Sequence, residues 1–186
     1  MEFMGGLFEA LERLGRIKRT GWIIAKIPND ISESIAEHTL KTVFIAMMIN
    51  RELNIGNEDK LIKMALIHDL PEALTSDIPK PIKEKLGEEV VSKVMLESFK
   101  NLIDYDELIA LYIEYIRGES VEARIVDLAD SIATYIQALN YRNQYCLKTP
   151  HLKSIIEHVE NRTTKKTKEL GLELDSIMKK LIGMKY

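Results

Sequence analysis

The sequence has one cysteine, no long apolar run and no strong excess of charge, and each absence excludes a class of protein. A single cysteine, Cys146, cannot form an internal disulfide, which is typical of a reducing compartment. No segment approaches the roughly 20 apolar residues that a transmembrane helix needs. The net charge of −3 gives no electrostatic reason to expect a nucleic-acid partner. We therefore predict a cytoplasmic protein that binds neither membranes nor nucleic acids.

The length and the pattern of apolar residues predict an all-α fold. The 186 residues, 46% of them apolar and 30% charged, are typical of one globular domain spanning 1–186. Strand-like alternation, internal repeats and low-complexity linkers are absent. Helical periodicity and capping residues predict roughly seven or eight helices in a compact bundle. The predicted helices are 3–16, from Ser32 or Ser34 to just before Asn54, from Glu58 onward, 83–102, 105–117 capped by Asp104, 121–143 begun by Ser120, Pro150–Leu170 capped by Thr149, and a short one after Gly171.

The segment 61–79, LIKMALIHDLPEALTSDIP, contains the strongest chemical signal. Its apolar helical run ends in the adjacent pair His68-Asp69, and Glu72 lies one turn after His68. Pro71 must kink or break the helix, which redirects the residues that follow. A nitrogen donor with two carboxylates suits a divalent cation and a water-activating base. The alternative is a buried His-Asp pair that only satisfies itself in the core.

Two further helices carry polar residues on apolar faces. His38 interrupts the apolar face of the second helix, and Asp127 and Asp130 lie three residues apart on the helix 121–143. A buried carboxylate is costly unless it is paired or binds a cation. Small and apolar neighbours one turn away favour Asp130 as the inward carboxylate, whereas Asp127 is predicted to be solvated.

In order, His38, His68-Asp69 and Asp130 form an H…HD…D pattern, and with it the chain resembles the HD-domain metal-dependent phosphohydrolases. The segments RTGW (19–22), SIAEHT (34–39), IHDLPEALTSDIPKPIK (67–83) and VEARIVDLAD (121–130) are similar to the 5′-deoxynucleotidases of that superfamily, the YfbR-type enzymes. The resemblance covers residues 19 to 130. One departure is Ser76, because members of this family commonly have glycine before the acid that matches Asp77.

The resemblance implies a role for each of these residues. One divalent metal ion would be held by His38, His68, Asp69 and Asp130. Glu72 and Asp77 would be catalytic carboxylates, Arg19 and Trp22 would contact the phosphate and the deoxyribose, and the protein would form a homodimer. For Trp22 the alternative is an ordinary place in the core.

The predicted donor set agrees with that chemistry. Two imidazoles and two carboxylates favour Mn²⁺, Co²⁺, Fe²⁺ or Zn²⁺ over Mg²⁺, which prefers oxygen ligands and its own waters. Because two carboxylates cancel the charge of the ion, Arg19 would supply the attraction for a phosphate dianion. The run Arg162–Lys168 is interpreted as a solvated helix face.

The predicted function is hydrolysis of deoxyribonucleoside 5′-monophosphates to deoxyribonucleoside and phosphate. Hydrolysis of nucleoside triphosphates or of guanosine pyrophosphates is an alternative, because the same fold supports these activities as well. A non-catalytic nucleotide-binding module is a third possibility, which predicts the loss of a metal ligand or of Glu72. All of these residues are present.

Overall fold

Helices provide all of the regular secondary structure that the structure describes. The structure is a computed structural model, and it describes residues 2–182, apart from the side chains of residues 2–5, 80, 81 and 182. Within this range the helices are α1 (Glu2–Arg16), α2 (Thr20–Ile24), α3 (Ile35–Leu53), α4 (Glu58–Ile67), α5 (Glu72–Thr75), α6 (Lys80–Leu86), α7 (Glu88–Leu102), α8 (Asp106–Arg117), α9 (Val121–Asn143), α10 (Pro150–Glu169) and α11 (Leu174–Ile182). The prediction of an all-α fold is confirmed.

Four helices, α3, α4, α9 and α10, begin at a residue whose side chain caps them. Ser34 accepts a hydrogen bond from the Glu37 backbone N–H, and the Glu37 carboxylate accepts one from the Ser34 N–H, which makes a capping box. Asn57, Ser120 and Thr149 each accept from the N–H three residues later. These starts are therefore determined locally and were predictable.

Three predicted boundaries were wrong, each for a local reason. The predicted helix 83–102 is two helices, because Gly87 adopts a φ of 84° that ends α6 before α7 begins. The segment 17–33 is irregular except for the five-residue helix α2. Tyr105, not Asp104, is the residue that precedes α8, and its side chain makes no capping bond.

The centre of the bundle is the packing of α3 against α9, with α4 and α10 covering α9 on other sides. Ile35 and Ile49 of α3 and Ile125 and Ile132 of α9 are almost completely buried. Each such side chain contributes about 1.5–3 kcal/mol relative to an exposed one. Helix α3 is thus central in the bundle.

Helix α3 has apolar side chains at the surface, and backbone hydrogen bonds fix the loop that precedes it. Leu40 and Phe44 are each 59% exposed. Ile35 N–H donates to Ile17 O and Arg19 N–H to Glu33 O, both at 3.0 Å, which fixes Arg19 beside the start of α3. Among the described residues, no helix is long and apolar enough to cross a bilayer.

Candidate active site

His38 lies at the point where α3 crosses α9. Its side chain is completely buried, and its Nε2 lies 2.9 Å from Oδ1 of Asp130 on α9. The same nitrogen lies 3.9 Å from Oδ2 of Asp69 and 3.4 Å from the hydroxyl of Thr42. One helix therefore brings an imidazole against carboxylates that come from two other parts of the chain.

His68 and Asp69 follow immediately after α4, where the helix ends before Pro71. The His68 Nδ1 lies 2.7 Å from the carbonyl oxygen of Ala65, so Nδ1 carries the proton and donates it there. In the neutral imidazole, which is the form that binds a metal ion, Nε2 is then the unprotonated nitrogen. It is buried, and although Asp69 Oδ2 is 3.1 Å away, Nε2 makes no hydrogen bond of acceptable geometry within the described residues.

The ligand atoms of His38, His68 and Asp130 all lie within 4.8 Å of one another, and Asp69 adjoins both histidines. Burial raises the pKa of a carboxyl. The charge of His68 outweighs burial at Asp69, and the hydrogen bond from His38 outweighs it at Asp130, so the pKa of each carboxyl is lowered. Burial lowers the pKa of His68, and Asp69 outweighs that effect and raises it.

This arrangement fits a divalent cation better than it fits a self-contained core pair. Two carboxylates are held ionised in a buried place, and a second-shell carbonyl orients His68 so that a bare nitrogen faces them. An imidazole nitrogen without a hydrogen-bond partner is costly in the interior unless something else satisfies it. A metal ion would satisfy it. We call the four residues His38, His68, Asp69 and Asp130 the metal centre.

Glu72 is the first residue of α5, directly after Pro71, and it is 5% exposed. Burial and the negative charges of Asp69 and Asp77 raise the pKa of Glu72 well above its usual value. Lys83 lies 3.8 Å from its Oε1 and acts in the opposite direction. Glu72 is therefore a buried carboxyl close to Asp69 and Asp77, and its surroundings favour the protonated form.

Asp77 lies in the loop after α5. Its carboxylate accepts a hydrogen bond from the Thr20 N–H at 2.6 Å, and its carbonyl accepts one from the Thr20 hydroxyl at 2.7 Å. The preceding Ser76 has φ 58° and ψ 171°, a conformation in which glycine is favoured and other residues cost about 1–3 kcal/mol. Serine thus adopts the backbone shape that glycine commonly provides at this place in the family, and Asp77 is still held against α2.

Arg19 lies directly before α2 and reaches into the metal centre. Its Nη1 lies 2.7 and 3.1 Å from the two ring nitrogens of His38 and donates to the hydroxyl of Thr134 at 2.9 Å. Its Nη2 lies 3.9 Å from Oδ1 of Asp130. Burial lowers the pKa of Arg19, but Asp130 and Asp69 outweigh burial and raise it, so the guanidinium stays charged.

Trp22 is not at the site surface but in the core. It is 2% exposed, packs edge-on against Tyr141 with ring centroids 5.2 Å apart, and donates its indole N–H to Oε2 of Glu33 at 3.0 Å. The deoxyribose contact that the resemblance implies for Trp22 stays a prediction, and a side chain this buried offers little surface to a sugar. The core alternative agrees with the structure.

Glu33 is the buried carboxylate that the sequence analysis did not identify. Besides Trp22, its side chain accepts a hydrogen bond from Lys41 Nζ at 2.7 Å, and Lys41 also donates to Gln137 at 2.6 Å. The Glu33 backbone N–H donates to the hydroxyl of Tyr141 at 2.8 Å. We call these five residues (Trp22, Glu33, Lys41, Gln137 and Tyr141) the Glu33 network. The Oε2 atom of Glu33 is 3.9 Å from Nδ1 of His38, so the Glu33 network adjoins the metal centre.

The interpretation of 162–168 as a solvated face was wrong for two residues. Arg162 lies 3.6 Å from Oδ2 of Asp130, and Lys166 is only 17% exposed at its side chain. The signal was available: the fully buried Thr163 and Thr167 recur every four residues, so one flank of α10 faces inward. Lys165, at 81% exposure, is solvated as predicted.

These helices and this cluster define a class of protein. A family model described as HD domain matches residues 11–171, and the chain belongs to that family. A protein from Pyrococcus horikoshii OT3 known from a crystal structure is 28% identical, with a TM-score of 0.71 over 90% of this chain and 94% of that one. The family model and the solved structure thus agree with the all-α fold.

Among named relatives, the chain is similar to the 5′-deoxynucleotidase HDDC2 of several vertebrates. The human protein is 29% identical over 140 residues, which are 70% of this chain and 64% of the human one. The mouse protein is 30% identical over 150 residues, 74% of this chain and 71% of the mouse one. The chain therefore spans somewhat less than two thirds of the length of the human relative.

Proposed function

We propose that this protein hydrolyses deoxyribonucleoside 5′-monophosphates to deoxyribonucleoside and phosphate, with residues 1–186 acting as a single metal-dependent HD-type domain. The observation that carries the proposal is the convergence of two buried imidazoles and two ionised carboxylates, with no hydrogen-bond partner for the Nε2 of His68 among the residues that the structure describes. The named relatives, all 5′-deoxynucleotidases, support the choice of substrate.

The metal ligands in this proposal are His38, His68, Asp69 and Asp130. Their mixed nitrogen and oxygen donors favour Mn²⁺, Co²⁺, Fe²⁺ or Zn²⁺ over Mg²⁺. When bound, such an ion supplies polarisation of the phosphoryl group and a lower pKa for a water molecule. The Ala65 carbonyl keeps the proton of His68 on Nδ1 and so leaves Nε2 free to coordinate.

Glu72 is the proposed general base. Its carboxylate takes a proton from the attacking water, while the water oxygen forms a bond to phosphorus and the bond to the 5′-oxygen breaks. Asp77, which Thr20 holds in place, is proposed to assist the transfer of that proton to the leaving 5′-oxygen. The products are then a neutral hydroxyl on the sugar and inorganic phosphate.

Arg19 is the proposed phosphate-binding residue of the amino-terminal half. Its guanidinium is held between His38 and Thr134, and it can form paired hydrogen bonds with phosphate oxygens. Trp22 contributes indirectly, since its hydrogen bond to Glu33 fixes the short helix that follows Arg19.

We also propose a homodimer in the cytoplasm. Leu40, Phe44 and Met48 lie on successive turns of α3 and are 59%, 59% and 46% exposed, which is a surface suited to a second copy. The single cysteine agrees with a reducing compartment. Phe44→Glu should convert a dimer into a monomer in light scattering, and a wild-type monomer would contradict this part of the proposal.

The test of function is phosphate release from dAMP, AMP and dATP measured in parallel with Mn²⁺ or Co²⁺ supplied. We expect release from dAMP and little from AMP. Release of triphosphate or pyrophosphate from dATP with no reaction on either monophosphate would retain the metal centre and overturn the substrate. No reaction on any of the three, with metal bound, would favour a non-catalytic module.

A further inference from the structure

Helix α10 places two basic side chains at the edge of the metal centre. Arg162 Nη2 lies 3.3 Å from Oδ1 of Asp127 and 3.6 Å from Oδ2 of Asp130. Lys166, one turn later, lies 2.5 Å from Oδ2 of Asp127 and donates to Ser131 Oγ at 3.0 Å. Arg162 thus approaches Asp130 at the oxygen that His38 does not contact.

Two lysines around the site form ion pairs with carboxylates, and in each pair the positive and negative charges cancel. Lys166 is mostly buried and has three acceptors, the carboxylate and the carbonyl of Asp127 and the hydroxyl of Ser131. Across the site, Lys83 lies 3.8 Å from Glu72. Neither lysine therefore offers uncompensated charge to a ligand. With Lys166 already on Asp127, Arg162 is not needed to neutralise that carboxylate.

The guanidinium of Arg162 has donors to spare. Its two ion pairs both use Nη2, and its Nε and Nη1 have no hydrogen-bond partner in the part of the chain that the structure describes. The side chain is 36% exposed, so these donors can reach a ligand from solvent. A guanidinium offers five N–H donors in a fixed planar arrangement that matches phosphate oxygens.

The charge of the site leaves a need for a second cation. Outside the two ion pairs, Asp69, Asp77 and Asp130 oppose Arg19 and a divalent metal ion, which leaves no net charge. A phosphomonoester carries nearly two negative charges at neutral pH. The guanidinium of Arg162 makes the net charge of the site positive. Its Nη2 lies 3.6 Å from Oδ2 of Asp130, a proposed metal ligand.

We propose that Arg162 is a further substrate-binding residue, which contacts the phosphate group together with Arg19. The inference rests on the proposed function and extends it, because it assigns to the carboxy-terminal third of the chain a direct part in binding the substrate. Asp127, which Lys166 also binds, holds the guanidinium in place, and the Nε and Nη1 of Arg162 donate to phosphate oxygens.

The experiment measures binding of inorganic phosphate to the full chain loaded with Mn²⁺ or Co²⁺, by calorimetry. Arg162→Gln should weaken phosphate binding about 10-fold or more, since hydrogen bonds to charged groups contribute about 1.5–3 kcal/mol. Arg162→Lys should recover part of the affinity, and the metal content of both variants should equal that of the wild type. Lys165→Gln is the matched control, since it removes the same charge from an exposed position of the same helix.

Unchanged phosphate affinity in Arg162→Gln would overturn the proposal. Loss of metal in parallel with phosphate would overturn it too, because Arg162 would then act only by positioning Asp130. The measurement needs no turnover, so it can be separated from the proposed function. If phosphate binding depends on Arg162 but no deoxyribonucleotide releases phosphate, the substrate assignment fails and the role of Arg162 stands.

Discussion

Two buried polar clusters adjoin the same histidine, and they differ in how far they satisfy themselves. In the Glu33 network both carboxylate oxygens accept good hydrogen bonds, from Trp22 and from Lys41. In the metal centre, Asp69 and Asp130 face His38 and His68, and the Nε2 of His68 has no partner among the described residues. Glu33, His38 and His68 are all almost completely buried, so burial alone does not distinguish the two clusters.

This difference in hydrogen bonding indicates which buried polar cluster is suited to bind a ligand. A network in which every donor meets an acceptor stabilises the fold and needs nothing more. A cluster of ligand atoms within 4.8 Å of one another that leaves one nitrogen unsatisfied is complete only when a cation joins it. On this criterion, the Glu33 network is structural, and the metal centre is the cluster that we propose as the functional site.

The largest expected effect is on the metal centre. Asp69→Ala should abolish both metal retention and turnover, because it removes a ligand whose partners are buried histidines. Metal analysis of the purified protein and phosphate release from dAMP measure the two effects. Asp59→Ala, on the exposed face of α4, is the control. Full activity in Asp69→Ala would contradict the ligand assignment.

Glu72→Ala should separate catalysis from metal binding. Glu72 is expected to take the proton of the attacking water, so its loss should cost about 10²-fold or more in rate. Since it is not a proposed ligand, the bound metal should remain stoichiometric. The comparison of kcat with metal content tests this, and an unchanged rate would place the base elsewhere.

Glu33→Gln should break the other cluster and reveal its structural character. The substitution removes a buried charge that accepts a hydrogen bond from Lys41, which should lower the free energy of unfolding by about 1–3 kcal/mol. Metal content should be unchanged. Urea unfolding measures the loss, with the exposed substitution Glu157→Gln as the control. Metal loss at unchanged stability would make Glu33 part of the metal centre.

The smallest effect concerns the pH dependence of the metal-free protein. Burial and the nearby carboxylates raise the pKa of Glu72 in the folded state, so folding favours its protonated form. The stability that this proton provides is present below the ordinary pKa of about 4.5 and is lost as the pH rises through the raised value. The wild type should therefore lose stability relative to Glu72→Gln as the pH rises above that point. Urea unfolding of both chelated proteins over a pH series measures the difference, and a constant difference would show that Glu72 is not perturbed.

Local chemistry made much of the fold predictable. The starts of α3, α4, α9 and α10 depend on Ser34, Asn57, Ser120 and Thr149, whose side chains bond to N–H groups only three residues away. Pro71 ends one helix and begins the next without any help from distant residues. The sequence analysis missed the break at Gly87, because a glycine can adopt either a helical or a positive φ and the surrounding apolar pattern does not show which.

The sequence by itself determined the helical class and the residues that converge at the metal centre, because their order and their apolar surroundings are written along the chain. Only the tertiary structure decided the roles of Trp22, Glu33 and Arg162. Arg162 and Asp130 are 32 residues apart and meet only when α10 packs on α9. Trp22 lies in the core, where its indole N–H donates a hydrogen bond to the carboxylate of Glu33, eleven residues away. Pairings of this kind depend on which helix faces cover each other, and that choice is made by the whole core.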